Sequence, residues 1–157
     1  VKTSSVNPAA SLNDESLATR ALIDLLKKEQ AQLVAADIAG LPALMEEKTK
    51  VVSQLSELAT RRHNALAAAG FEPKESGMQA WLASAAAVTA AKAWKELISL
   101  AQTAKELNRV NGLLIGKHLT RNQQALNVLG LGNQGNAFYG PNGQSTVKTT
   151  VRGLAIG

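Results

Sequence analysis

Apolar positions recur in steps of three and four along most of this chain, the pattern of helices that each bury one face. Between Leu12 and about Ile38 there is no proline or glycine, and Leu22, Leu25, Leu26 and Leu33 form an apolar stripe at helical spacing. Ser11 with Asp14 three residues on resembles a capping box, and Glu15 adds negative charge to the same first turn. The run breaks at "DIAGLPAL", where Gly40 closes a first helix and Pro42 suits the first turn of a second. Asp37 capping a helix that begins at Ile38 is the alternative boundary. The second helix carries Leu41, Leu44, Lys48, Val51, Leu55, Leu58, Arg62 and Leu66, close to a heptad seam. Gly70 suits a left-handed cap at its end, with Phe71 and Pro73 following.

The connection "FEPKESG" is polar, and Ser76 with Gln79 opens a short helix through "MQAWLASAAA". Thr89 is a candidate cap for the longest helix, from about Ala90 to Leu129. Its seam reads Trp94, Leu97, Ala101, Ala104, Asn108, Asn111, Ile115, His118, Asn122, Ala125 and Leu129. Gly112 and Gly116 lie inside it and weaken it by roughly 1 kcal/mol each relative to alanine. From Gly130 onward the chain holds seven glycines and no helical period; only "TVKTTV", with Val147, Thr149 and Val151 alternating, hints at an extended segment. The expected fold is all-α. An elongated antiparallel bundle of three long helices, about 12–38, 42–69 and 90–129, takes one short helix, about 77–87. Residues 1–129 form the helical domain and 130–157 a Gly-rich tail.

Lengths carry this further. At about 1.5 Å per residue the first two helices reach about 40 Å each and the last about 60 Å. Packed antiparallel, the last helix outruns its neighbours by roughly 20 Å, about Lys117 to Leu131. Leu119, Ala125, Leu126, Val128 and Leu129 fall there, and an apolar face without a partner marks a site for a second copy or a client. The short helix or the tail folding back over it is the alternative. Polar residues interrupt the seams as well. Glu29 and Lys48 fall about one turn from being opposite in a hairpin closed near Gly40, so a cross-helix ion pair is expected; both side chains reaching out to water is the other reading. Asn108 and Asn111, one turn apart on the core-facing stripe, either fix register through satisfied amides or meet water at the seam's edge.

Composition narrows the chemistry. Aromatic residues make up 3% of the chain and cysteine is absent, so the core is small and aliphatic, with no disulfide or thiolate metal site. The net charge is +5, and the basic residues are scattered along the chain. Its densest cluster, Arg61-Arg62-His63, reads as solvated surface. No apolar run is long enough to span a bilayer, and the first ten residues lack the apolar core of a secretory signal. Neither His63 nor His118 has a second ligand at metal spacing. "GLGNQG", Gly130 to Gly135, follows a helix rather than a strand and is no dinucleotide turn. The serines lack a nucleophile elbow. No enzyme, cofactor or metal is expected.

One stretch stands apart: "NAFYGPNGQ", Asn136 to Gln144, sets the only tyrosine, Tyr139, beside Phe138 in the glycine-rich tail. Together with "WKELISLAQTAKELNRVNGLLIGKHLTRNQQALNVL" it resembles the FlgN family of flagellar export chaperones. The shared elements are Trp94 opening the last helix, the Leu-Asn-x-x-Asn-Gly core from Leu107 to Gly112, the Gln-Ala-Leu-x-x-Leu end from Gln124 to Leu129, and Tyr-Gly-Pro-x-Gly-Gln from Tyr139 to Gln144. The spacing of Glu29, Asp37 and Lys48 is similar too, so the likeness runs from about Leu12 to Gln144. Pro42 is less typical. The resemblance implies a small cytoplasmic chaperone that reaches the membrane only through the export apparatus. Its clients are the hook-associated proteins, held by their C-terminal segments. The implied client surface is the end of the last helix, with Leu119, Leu126 and Leu129, and Tyr139 matches the tail tyrosine associated with docking to the export gate protein FlhA. Gly140, Pro141 and Gly143 then make a turn that presents Tyr139; packing of Phe138 and Tyr139 back on the overhang is the competing arrangement. Two functional rivals remain. One is a homodimeric coiled-coil scaffold without a secretion role. The other is a basic nucleic-acid-binding bundle, against which the mixed charges of the helices argue.

Overall fold

A computed structural model of the chain describes residues 6–85, 87–130, 137–139 and 145–147. Four helices account for most of them: α1 (Leu12–Val34), α2 (Leu41–Ala68), α3 (Glu75–Ala85) and α4 (Val88–Val128). The fold is all-α, as the periodicity implies, and two three-residue strands follow it. β1 (Ala137–Tyr139) pairs antiparallel with β2 (Ser145–Val147), Tyr139 standing opposite Ser145. The alternation read from Thr146 to Val151 overlaps β2 at Thr146 and Val147, and its remainder lies outside the described residues.

Helix α1 is the shared element, packing along both α2 and α4. Glu15 meets Arg62 and Glu29 meets Lys48, so α2 runs antiparallel to α1. Arg20 pairs with Glu96, Leu26 with Asn111, and Leu33 with His118, so α4 runs parallel to α1 in step with it. The three long helices therefore go up, down and up. Every seam position read on α2, from Leu41 to Leu66, is buried or half-buried.

The core has two parts. At the start of α1, Leu12, Leu66, Met78, Trp94 and Leu97 pack together, and α3 closes that end with Met78 and the half-buried Trp81 and Leu82. Both tryptophans and Phe71 gather here. Farther along, Ile23, Leu26 and Ala104 form a thinner core, the alanine letting α4 approach α1 closely. Two glycines serve the α2–α3 connection. Gly70 takes φ 86°, the left-handed cap conformation that closes α2. A Cβ on Gly77 would lie 1.8 Å from the Glu72 carbonyl oxygen, so only glycine fits where the chain folds back into α3.

Helix α1 begins just after Ser11, as the sequence implied, but the capping contacts and the starts of α3 and α4 differ from that reading. Ser11 makes no cap; its hydroxyl donates to the Glu15 carboxylate at 3.0 Å. Ser76 lies inside α3 and donates to Glu72, and α4 begins at Val88 without a side-chain cap. Helix α1 ends at Val34, about four residues early, because Ala36 adopts φ 55° and the Asp37 amide turns back to the Gln32 carbonyl. A left-handed alanine stands where a glycine would have been the sequence signal.

Candidate functional site: the uncovered end of the longest helix

The α1–α2 hairpin positions everything at this end. Its turn brings Glu29 on α1 and Lys48 on α2 to 2.8 Å, the ion pair that the seam spacing suggested. Glu29 is 2% exposed, and a lone buried carboxylate would be costly. Lys48 satisfies one of its oxygens, and the Asn111 amide donates to the other at 2.9 Å. The same amide donates to the Leu26 carbonyl at 2.8 Å. One polar knot thus ties all three long helices together and sets the height of α4 against α1. Asn108 is half-buried and takes no part in that knot. One turn before Asn111, the exposed Glu106 carboxyl is held below its usual pKa by the hydrogen bond from Arg109.

A second buried ion pair lies at the opposite end of the bundle. Arg62 is 4% exposed, correcting its reading as solvated surface. Its Nε donates to both Glu15 oxygens at 3.1 and 3.2 Å, its Nη2 approaches Glu75 at 3.3 Å, and its guanidinium lies 4.8 Å from the centre of the Trp94 ring. The signal was present: Arg62 falls on the α2 seam between Leu58 and Leu66, where its charge needs a partner.

Beyond the Glu29 knot, Leu33, Ile38, Leu41, Met45, Ile115 and Leu119 line an apolar cleft of about 110 Å³. Glu29 and His118 border it, and His118 hydrogen-bonds the Leu33 carbonyl near the end of α1. Here α1 stops and α4 continues for about ten residues, roughly 15 Å. The stripe of Asn111 and Ile115 runs on through Leu119, Asn122, Leu126 and Leu129 in steps of three and four, on one face of the helix. Its burial fades in the same order. Asn111 is 1% exposed, Leu119 half-buried, Leu126 37% and Leu129 70% exposed. Val128, on another face, is 87% exposed.

Sequence reasoning reached Leu119, Leu126 and Leu129 but missed Ile38, which is 52% exposed and borders the cleft from the hairpin turn. An isoleucine in an otherwise polar break was the available signal. Tyr139 lies in β1, whose backbone comes close to α4; the arrangement of its side chain falls outside the described residues, as does the turn 140–144. Among the described residues, no group of three or more His, Asp or Glu is placed to hold a metal, and no helix is long and apolar enough to cross a membrane.

An uncovered apolar helix end is common to many helical proteins, so comparison with known proteins decides the family. The family described as FlgN protein matches residues 7–146, nearly the whole chain. This chain belongs to the FlgN family. The Flagella synthesis protein FlgN of Proteus mirabilis is 32% identical to it over 123 residues, 77% of either chain. That of Yersinia enterocolitica is 30% identical over the same share. No solved structure gives a significant match. The FlgN match spans α1 to β1 and takes in the Glu29–Lys48–Asn111 knot and the whole exposed end of α4.

Proposed function

We propose that this FlgN-family chain is a cytoplasmic flagellar export chaperone, not an enzyme. It holds the C-terminal helical segments of hook-associated proteins and delivers them to the export gate protein FlhA. The observation that supports this reading is the core-facing stripe of α4, which continues past the end of α1 and, among the described residues, leaves Leu126 and Leu129 exposed. A client segment that would otherwise polymerise is an amphipathic helix, and such a helix buries its apolar face by lying along a stripe of this kind. Leu119, Leu126 and Leu129 make the client surface. Tyr139 serves the gate, one aromatic anchor suiting an interaction that must be reversed at each delivery.

Pull-downs with a hook-associated protein and with the soluble part of FlhA test the division. Leu126→Asp removes client capture and Tyr139→Ala retains it, whereas docking of the loaded complex on FlhA is lost in Tyr139→Ala. Loss of the same partner in both variants defeats this assignment.

A further inference from the structure

The end of the bundle away from the exposed stripe is closed by the shortest helix. At 11 residues, α3 falls short of the roughly 12 to 15 that an isolated helix needs in water, so its packing must hold it. That packing is slight. It buries only Gly77 and Met78, leaves Trp81 and Leu82 half-buried, and exposes the rest of its side chains. By contrast, α1 buries ten of its 23 residues. Met78 is the one fully enclosed anchor of α3 in the core of Leu12, Leu66, Trp94 and Leu97. A surface groove lined by Leu12, Trp81, Ala90 and Ala93 reaches in beside it, and the connection from Glu72 to Lys74 is exposed.

The polar contacts beneath α3 are only partly satisfied. Glu75, its first residue, is approached by Arg62 Nη2 at 3.3 Å and by His63 Nε2 at 3.7 Å. Arg62 Nη1 and His63 Nε2 are buried and have no hydrogen-bond partner among the described residues. A buried polar atom left unpaired costs its desolvation, and that cost is returned when water reaches it. Arg62 does not depend on Glu75, since its Nε donates to both Glu15 oxygens.

We propose that α3 is a lid that opens as a unit on an intact frame of α1, α2 and α4, uncovering Leu12, Leu66, Trp94 and Leu97. Opening withdraws Met78, Trp81 and Leu82 from the core and breaks the Glu75 contacts. The Glu15–Arg62 and Glu29–Lys48 pairs and the Asn111 hydrogen bonds stay in place, because α3 contributes to none of them. Water then reaches the two stranded nitrogens. The cost is a fraction of that of unfolding the frame, which is the condition for one segment to open alone.

Native-state hydrogen exchange of the full chain, under conditions where reclosing outpaces exchange, tests the lid. Amides from Gln79 to Ser84 exchange faster, relative to their intrinsic rates, than those in the middle of α1 and α4, and respond less to low urea. Asn111→Ala separates local from global opening, because it weakens the frame equally with the lid closed or open. It speeds exchange in α1 and α4 on the order of tenfold and leaves α3 unchanged. Met78→Ala removes a contact that exists only in the closed form and speeds exchange of α3 by about thirtyfold or more. An α3 that exchanges in step with α1 and α4, that speeds up with them in Asn111→Ala, or that is indifferent to Met78→Ala would overturn the proposal. Should circular dichroism show that Met78→Ala does not fold, the unsubstituted chain and Asn111→Ala decide the matter.

Discussion

Helix α4 is one continuous helix with two fates. From Trp94 to Ile115 its stripe is pressed against α1, and a buried amide there is hydrogen-bonded to a buried carboxylate. From Leu119 the same stripe, at the same spacing, runs past the end of α1; Leu119 still lines the cleft with Leu41 and Met45, while Leu126 and Leu129 are exposed. The difference does not come from the residues of α4, whose leucines are as apolar in the second part as in the first. It comes from α1, which stops at Val34 because Ala36 turns left-handed. A stripe that stabilises the fold where it has a partner is left exposed to solvent where that partner ends.

Substitutions on the two parts should separate cleanly. The largest effect belongs to the covered part. Glu29→Ala leaves the half-buried Lys48 and the Asn111 amide without their carboxylate and costs about 3 kcal/mol of unfolding free energy, measured by urea denaturation. The double replacement Glu29→Met/Lys48→Met recovers most of that loss, because neither charge is then stranded; failure to recover would mean that Asn111, not Lys48, carries most of the stabilisation. Asn111→Ala comes next at about 1 to 3 kcal/mol, since one Glu29 oxygen loses its donor. Leu129→Ser, on the uncovered part, changes stability by no more than about 0.5 kcal/mol. A loss there as large as for Asn111→Ala would show the end of α4 to be covered in solution and erase the distinction between the two parts.

Much of this arrangement was legible in the residue pattern. The α2 seam, the left-handed glycine after it, the Glu29–Lys48 pair and the overhang of the last helix all follow from spacings of three and four and from helix lengths. The start of α1 just after Ser11 was read correctly, whereas α3 and α4 begin one residue before the Ser76 and Thr89 hydroxyls that suited a cap; Ser11 and Ser76 bond nearby carboxylates instead. Arg62 was misread because a run of basic residues resembles surface, while its burial depends on Glu15, 47 positions away. The cleft was not legible at all, since its walls come from three helices and one turn.

What the sequence determined by itself is which face of each helix is apolar, which stretches are helical and where charge accumulates, because these depend only on neighbours a turn or two apart. Which part of the longest stripe is buried was decided only by tertiary structure. That outcome depends on where another helix ends and on a buried carboxylate that fixes the height of three helices against one another, and no local spacing records either.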